Sequence, residues 1–512
     1  MKKKSLLVCL LLVLSLLVSC SSSVGSISLK DAIDREYYAS TKVGAYTSFK
    51  ELNVYDGFTF ESRLGGLICL NNVGQNNYVV YNFVTDKEIL NEDEVAHIEL
   101  FDCNGFEFVY VTTSNDEGKF TSAVYNGKGE KIITVADEVK SFDCRLDLFL
   151  INGTTYRVSD KGETSVLVEG NAFSGTKLPA FRYSTKQYYY ILNSYNCEII
   201  VYNKNLEAVS RWALGYEVDD SDMSVMENGN IIVQTVEELN SDAEEFTYIE
   251  DGAKYLLTTR IINPKNGSEK KVELDHLISV IYSAGWENYD NYNALSKKVK
   301  NLAYVVQIKD ERICEAEYML CAVDNNGGIQ GKLFGNLKLM DQDSSYIQLS
   351  ADRFVYGNYA GELILVDTSG KTIAKGSGLG LYDIDYNYNG ILYDNKFYDF
   401  DLVEKFDITS KDGVNVSGMM RRGFIFENDE GEFYLYANDT TKKLTNQQVV
   451  KIGDGYFVTT DENGAYTIYN DLGAILGRTD SLITERASED EVIFFSCYDA
   501  LSGGYTFYRM TA

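Results

Sequence analysis

One pattern recurs along this chain and restricts its fold more than any other feature. An apolar run leads to a turn rich in Gly, Asn and Asp, and a second run returns and ends in an apolar residue followed by Asn or Asp. A short turn, which often closes with Gly, then leads into a third run. Val, Ile, Phe and Tyr favour strands, whereas Gly, Asn and Asp favour turns. The pattern therefore predicts a long series of antiparallel hairpins.

The hairpins recur at a regular interval. The pattern is clearest at 106–133, 354–373 and 456–476, with further copies at 391–400 and 424–437. From Gly370 to Gly473, three steps average about 34 residues, which lies in the range of propeller and solenoid repeats. Similar hairpins elsewhere bring the count to about ten, more than the roughly four to eight blades of most propellers.

Four short strands in each repeat indicate the blade of a β-propeller, which must stack on its neighbours because one blade cannot bury both faces. We expect an all-β fold with four-stranded blades in one large ring or two propellers; a β-solenoid or a stacked β-sandwich is the alternative. The pattern resembles bacterial propeller lipoproteins and, more loosely, WD40-like and quinoprotein-like propellers, over most of 51–512. The resemblance is architectural: Trp212 and Trp286 are the only tryptophans, so no repeated tryptophan motif transfers a function.

Two places depart from the repeat. The stretch 275–302 interrupts it, and apolar residues at helical spacing between Trp286 and Leu302 predict a short amphipathic helix there. We interpret this stretch as an insertion into a blade or a junction between domains. The last unit, 492–510, lacks an evident fourth strand, and Phe58–Glu61 near the front of the chain can supply it and close the ring.

The N-terminus predicts export. Lysines at 2–4 precede an apolar run at 5–18, which is shorter than the roughly 20 apolar residues of a membrane-spanning helix. The end of this run and the serines after it resemble the lipobox of bacterial lipoprotein signal peptides, carried by Leu17, Val18, Ser19 and Cys20. In that family the cysteine thiol is acylated and becomes the mature N-terminus. The resemblance implies lipidation of Cys20, with Leu17, Val18 and Ser19 as the signal-recognition positions.

These features predict the organisation of the chain. Residues 1–19 are the signal peptide, 20–50 hold the lipidated cysteine, a Ser-rich tether and a short helix at 29–38, and 51–512 form the repeat domain. Each buried methylene of a lipid chain stabilises membrane attachment by about 0.8 kcal/mol. We expect a protein of the bacterial cell envelope, attached to a membrane through Cys20 and facing outside the cytoplasm.

The charge and the cysteine content of the chain limit the classes of partner and site that we expect. The formal charge is −29, and loss of the three signal-peptide lysines makes the mature chain more acidic still. Binding to nucleic acid or anionic lipid needs clustered Lys and Arg, so this charge argues against nucleic acid as a partner. The seven cysteines that remain after the signal peptide and Cys20 are scattered without a CxxC pair, which excludes common zinc and thioredoxin-like motifs. We expect them to behave as small buried apolar residues.

Catalytic motifs are scarce. His97 and His276 are the only histidines, and neither stands in a pattern typical of nucleophilic catalysis or of a metalloprotease. Acidic clusters at 91–94, 219–222, 237–245 and 489–491 raise the alternative of paired carboxylates that cleave carbohydrate. With 76 acidic residues, we interpret these clusters as solvated surface.

One segment has oxygens at metal-ligand spacing. Asp385, Asn387 and Asn389, followed by Gly390, match the first half of a calcium-binding loop, but the twelfth position is Lys396 rather than Glu. The alternation of polar and apolar residues also fits a half-buried strand. We therefore favour a strand and keep calcium as a minor hypothesis; no other cofactor is expected.

Together these observations predict a binding or scaffold module. It would hold a protein, a peptide or a glycan on the face of the propeller while Cys20 anchors it to the membrane. The alternative function is a carbohydrate-active hydrolase or lyase with paired carboxylates in the mouth of the propeller.

Overall fold

The computed structural model describes most of the chain from Gly44 to Ala512. The segments outside this description are 1–43, 53–54, 56, 73, 116, 137–138, 170–176, 194, 218–222, 251, 281–300, 311–314, 333–345, 351–352, 358–361, 368–371, 378–384, 388, 394, 400–402, 445–446 and 499–503. The signal peptide, the lipobox and the helix at 29–38, all three predicted from the sequence, therefore lie outside the described residues.

The described residues form 45 strands in eleven antiparallel sheets, which we call blades 1 to 11 in chain order. The first strand, β1 (Ser48–Glu51), belongs to blade 11. Blades 1 to 4 contain β2 (Thr59–Leu64), β3 (Leu67–Asn72), β4 (Asn77–Asn82) and β5 (Lys87–Asp93); β6 (Val95–Cys103), β7 (Phe106–Ser114), β8 (Phe120–Asn126) and β9 (Lys131–Val135); β10 (Phe142–Arg145), β11 (Leu148–Ile151), β12 (Thr154–Val158) and β13 (Thr164–Val168); and β14 (Tyr183–Ser184), β15 (Tyr188–Asn193), β16 (Glu198–Asn203) and β17 (Ala208–Ala213).

The later blades follow the same plan. Blades 5 to 8 contain β18 (Met223–Val225), β19 (Ile231–Leu239), β20 (Tyr248–Glu250), β21 (Ala253–Ile262) and β22 (Glu269–Val272); β23 (His276–Val280), β24 (Leu302–Asp310), β25 (Glu315–Val323) and β26 (Ile329–Lys332); β27 (Tyr346–Ser350), β28 (Arg353–Gly357), β29 (Glu362–Asp367) and β30 (Thr372–Ser377); and β31 (Asp385–Asn387), β32 (Gly390–Tyr393), β33 (Lys396–Tyr398) and β34 (Glu404–Asp407). Blades 9 to 11 contain β35 (Gly413–Met419), β36 (Gly423–Asn428), β37 (Phe433–Ala437) and β38 (Thr440–Lys443); β39 (Gln448–Gly453), β40 (Tyr456–Thr460), β41 (Tyr466–Asn470) and β42 (Ile475–Thr479); and β43 (Thr484–Glu489), β44 (Val492–Tyr498) and β45 (Tyr505–Thr511). A 3-10 turn, Ile408–Lys411, connects blades 8 and 9.

Blade 5 alone has a fifth strand among the described sheets. β19 and β21 form a long hairpin, on which β20 pairs beside the far half of β21. The acidic run at 237–245 begins in β19 and continues into the segment at the tip of this hairpin.

The hydrophobic core lies between blades. Ile68 and Leu70 of blade 1, for example, share a fully buried cluster with Phe494 and Phe507 of blade 11. Full burial of such side chains stabilises the fold by about 1.5–3 kcal/mol each. Clusters of this kind join blades 8 to 9, 9 to 10, 10 to 11, 11 to 1, and each successive pair from blade 1 to blade 6. The protein is a β-propeller, and this series passes through the chain termini as one array.

The ring closes through β1, which pairs antiparallel with β45 and places Ser48 opposite Thr511. The assignment of Phe58–Glu61 to the closing strand is wrong, because β2 begins at Thr59 and pairs with β3 of blade 1. The count of about ten units missed that first hairpin, β3–β4, although it also ends in an apolar residue followed by Asn. A two-residue turn at Gly65 and Gly66 keeps β2 next to β3.

The propeller has two distinct faces. In each antiparallel meander the turns between strands one and two and between strands three and four lie at the same end. We call this end the terminal face, because β1 starts there and Gly44 lies beside Ala512. The opposite end, with the turns between strands two and three and the connections between blades, is the distal face.

The interruption at 275–302 lies within one blade. β23 and β24 are neighbours, and Val280 pairs with Ala303, so 281–300 connects the first two strands of blade 6 at the terminal face. Most of the predicted helix lies outside the described residues. Its predicted end is wrong, because Leu302 begins β24.

The Asn or Asp that ends so many third strands has a specific role. Its side-chain oxygen accepts hydrogen bonds from backbone N–H groups two and four residues later, which shapes the turn into the fourth strand. Asn126, for instance, accepts from Lys128 N at 3.1 Å and from Glu130 N at 2.9 Å. The turn then needs a positive φ at the third following position, which Gly129 supplies with φ 79°. The same contacts recur at Ser159, Asn203, Asp324 and Asn470.

Candidate functional site

The lipobox residues Leu17, Val18, Ser19 and Cys20 lie outside the described residues, so their roles stay predictions. From Gly44 onward, no described helix has the length and apolar character needed to cross a bilayer.

The predicted calcium segment is a hairpin at the terminal face of blade 8. Asp385 begins β31, and Asn387 Oδ1 accepts hydrogen bonds from Asn389 N at 2.8 Å and Gly390 N at 3.2 Å. The two asparagine amides reach blade 9, where Asn387 donates to Gly423 O at 3.2 Å and Asn389 to Arg422 O at 2.9 Å. Asn387 therefore shapes the turn, and the side chains of Asn387 and Asn389 both contact blade 9. Among the residues described, no cluster of three or more His, Cys, Asp or Glu can hold a metal.

The two histidines lie in different blades. His276 is buried in blade 6, with Nδ1 2.8 Å from Asp275 Oδ1 and Nε2 2.8 Å from Gly327 O. It therefore joins the first strand of the blade to the turn after the third. His97 lies on the exposed side of β6 with Nε2 3.5 Å from Glu99 Oε2.

The acidic clusters do not converge in one place. The cluster at 91–94 lies at the distal end of blade 1, the cluster at 237–245 lies on the long distal hairpin of blade 5, and that at 489–491 lies at the terminal face of blade 11. The fourth, at 219–222, lies outside the described residues. The described clusters therefore lie in three different blades, two at the distal face and one at the terminal face.

A different carboxylate, missed in the sequence, is held between blades at the terminal face. Glu107, at the start of β7, accepts a hydrogen bond from Gly66 N of blade 1. A Cβ at Gly65 would collide with its carboxylate. Burial is the main cause that raises the pKa of Glu107, and the negative charges of Glu489, Asp102 and Asp490 raise it further against the opposing effect of the Gly66 N–H.

Two arginines form the strongest polar contacts of this face. Arg422 makes a bidentate ion pair with Asp471, whose side chain is fully buried. Arg421 is also buried, and its Nε donates to Asp454 Oδ2 at 2.6 Å while the guanidinium lies 4.8 Å from the Tyr46 ring centroid. Blades 9 and 10 and the N-terminal segment are thereby joined.

A third polar cluster links blades 3 and 4. Tyr189 Oη donates to Asp147 Oδ2 at 2.8 Å, and the Lys204 ammonium lies 3.7 Å from both that carboxylate oxygen and the Tyr189 ring centroid. Burial is the main cause that lowers the pKa of Lys204. Like the other two clusters, this one uses its charges in contacts between blades.

The distal face has a different character. Its turns expose acidic side chains in blades 2, 5, 9 and 10, namely Glu117, Asp242, Glu244, Glu245, Asp429, Glu430, Asp461 and Glu462. Two tyrosines are also exposed there, Tyr195 at 94% and Tyr498 at 52%. Exposed tyrosine is enriched at protein interfaces. We define this acidic, tyrosine-bearing set of turns as the distal surface; single-residue patterns in the sequence did not reveal it, because its members lie in different repeats.

Comparison with known proteins finds no matching family model and no matching curated protein. Among solved structures, the chain is similar to BamB from Moraxella catarrhalis (14% identity, 63% of this chain and 91% of that chain, TM-score 0.18). It is also similar to a eukaryotic initiation factor (10%, 82% and 87%, TM-score 0.26) and to the C-terminal WD40 domain of Sif2 (12%, 61% and 75%, TM-score 0.17). At these identities and TM-scores the comparisons carry no argument about function.

Proposed function

We propose that this protein is a lipid-anchored propeller of the bacterial cell envelope that binds a protein, peptide or glycan partner through its distal surface. The observation that carries the proposal is the contrast between the two faces. At the terminal face the buried or half-buried charges of Glu107, Arg421, Arg422 and Asp147 contact neighbouring blades. At the distal face acidic and tyrosine side chains extend into solvent.

The path of the chain supports this orientation. β1 starts at the terminal face, with Ser48 opposite the end of β45. Only 28 positions of sequence separate Cys20 from Ser48. A lipid on Cys20 would therefore keep the terminal face nearer the membrane and direct the distal surface away from it.

The charge of the distal surface indicates the class of partner. Complementary potentials accelerate encounter and exclude partners of the same sign. We therefore propose a partner with a basic patch, and tyrosines that supply apolar contact area beside the charges. The same acidic potential disfavours nucleic acid as a partner.

The anchor is tested by detergent phase partition of cell extracts. The wild-type protein should enter the detergent phase and carry a radioactive fatty-acid label. The Cys20→Ala protein should keep its signal peptide and carry no label. A Cys9→Ala protein is the control, because Cys9 lies inside the apolar run and should not alter processing. Fatty-acid labelling that survives Cys20→Ala would refute the anchor.

The distal surface is tested by site-specific photo-crosslinking in intact cells. A benzophenone amino acid at Tyr195, or at Glu462, is expected to capture a discrete partner. The same amino acid at Lys128, which is exposed on the terminal face, is the matched control. If a partner were captured only from Lys128, the binding surface would lie on the terminal face and the proposal would be wrong.

A further inference from the structure

Two cysteines from different repeats meet between blades 2 and 3. Cys103 ends β6 and Cys144 lies in β10, and these two first strands approach within 8 Å between Cα atoms. The Cys103 side chain is near enough to Cys144 for the two groups to interact. Each thiol also reaches the backbone of the other strand's end: Cys144 Sγ lies 3.1 Å from Asp102 O, and Cys103 Sγ lies 3.5 Å from Leu146 O.

The surrounding contacts hold the two strands together. Asn104 N donates to Leu146 O at 3.0 Å, and the Asn104 side-chain amide donates to Val158 O at 3.1 Å. On the other side, the Phe101 ring packs edge-on against Phe142 with centroids 4.9 Å apart. Hydrogen bonds on one side and aromatic packing on the other therefore hold the two strands that carry Cys103 and Cys144 next to each other.

We propose that Cys103 and Cys144 are a redox-active pair that forms a disulfide between blades 2 and 3 when the protein meets a disulfide oxidant. The modification goes beyond the proposed binding function and does not rest on it. The disulfide would link covalently two repeats whose other contacts are non-covalent. It would also close a loop between residues 103 and 144, which lowers the conformational entropy of the unfolded chain.

The two thiols differ in access, which sets the order of the reaction. Cys144 is half-buried, whereas Cys103 is fully buried. The Cys144 thiolate attacks an oxidised small-molecule disulfide such as glutathione disulfide, forms a mixed disulfide and releases one glutathione thiolate. Cys103 loses its proton to solvent and attacks the Cys144 sulfur, which expels the second glutathione. Two protein thiols are oxidised by two electrons, and one glutathione disulfide is reduced to two thiols.

The environment of Cys103 affects the second step. The interaction with Cys144, followed by burial, raises the pKa of the Cys103 thiol. Since the thiolate is the nucleophile, closure of the disulfide should accelerate as the pH rises. The mixed disulfide at Cys144 should therefore be resolved faster as the pH rises.

The test uses the whole chain, equilibrated at fixed ratios of reduced to oxidised glutathione, quenched with acid, alkylated and digested with trypsin without reductant. Cleavage at Lys87, Lys119, Lys140 and Arg145 places the two cysteines in peptides 88–119 and 141–145. The expected result is a linked pair of these peptides whose abundance rises with the oxidised fraction and is lost on reduction. Wild-type protein that yields both peptides alkylated at every ratio, or Cys144 bearing glutathione as the final product, would overturn the proposal.

Two variants separate this pair from general thiol oxidation. Cys144→Ser should abolish the linked peptides and leave Cys103 alkylated only after unfolding. Cys197→Ser removes a thiol that is also half-buried but lies at blade 4, and it should leave the linked peptides unchanged. Linkage of the Cys103 peptide to another cysteine in the folded wild type would likewise contradict the assignment.

Discussion

At the scale of single residues, the glycine in the turn before the fourth strand of blade 2 has two constraints. Gly129 adopts φ 79° in the turn before β9, and a Cβ at this position would lie 3.4 Å from the Ile89 carbonyl oxygen of blade 1. The first constraint is conformational and the second comes from the neighbouring blade. This explains why glycine recurs at this position of the repeat.

Gly129→Ala is therefore expected to lower the free energy of unfolding by about 1–2 kcal/mol, because a left-handed backbone strains any Cβ. Urea denaturation followed by circular dichroism measures the change. Gly215→Ala is the control, since Gly215 has open space around its Cβ position and no left-handed φ. Equal loss at both positions would show that the turn conformation is not the cause.

Glu107 offers a prediction of pH dependence. Its pKa is raised in the folded protein, mainly by burial, so the protonated form favours folding. That contribution is present below the unfolded-state pKa and is lost as the pH rises through the raised folded-state pKa. Gln keeps an oxygen for the Gly66 N–H and carries no charge, so Glu107→Gln should gain stability relative to wild type as the pH rises from acidic to neutral.

Urea denaturation at several pH values measures that difference, with Glu462→Gln at the exposed distal surface as the control. A difference between wild type and Glu107→Gln that is constant with pH, or that falls as the pH rises, would contradict the assigned direction of the pKa shift.

At the scale of the strand and its turn, each turn before a fourth strand is shaped by residues next to it in the sequence. The Asn or Asp that ends the third strand shapes the turn, and local contacts suffice for this. Asn470 differs from the others because its side-chain amide also donates to Tyr46 O at 2.9 Å, across 424 residues of sequence. The same side chain therefore forms a turn and holds the N-terminal segment.

Asn470→Ala should lower the free energy of unfolding by about 1–3 kcal/mol, because buried N–H and C=O groups lose their partners. Asn126→Ala is the matched change in blade 2, where the side chain forms the same turn but its amide donates to the exposed Glu130. Thermal unfolding of the two variants should show the larger loss for Asn470→Ala. Equal losses would mean that the bond to Tyr46 adds nothing.

At the scale of the whole molecule, stability depends on closure. Blades 11 and 1 share a buried cluster, and β1 completes blade 11 by pairing with β45. Without β1, β45 becomes an exposed edge strand, which is prone to pairing with other chains. The N-terminal strand thus has a role in folding.

A chain that begins at Gly44 should fold like the full-length protein, whereas one that begins at Leu52 should unfold at a markedly lower temperature and associate. The lost strand removes its ladder hydrogen bonds and the packing of Phe49 on Tyr508, whose ring centroids lie 4.8 Å apart. Calorimetry and light scattering measure both effects. If the two truncated chains melt at the same temperature, β1 does not close the ring.

The amino-acid sequence alone determined the all-β class, the hairpin repeat and its turn residues, because strand and turn preferences act over a few neighbouring residues. The first blade was missed and β2 misplaced, because which strand fills an open edge depends on where the ends of the chain meet. Tertiary structure alone decided the pairing of Ser48 with Thr511, the meeting of Cys103 with Cys144 and the contact of Glu107 with Gly66. Each joins separate repeats, and packing between blades, rather than any local pattern, brings their atoms together.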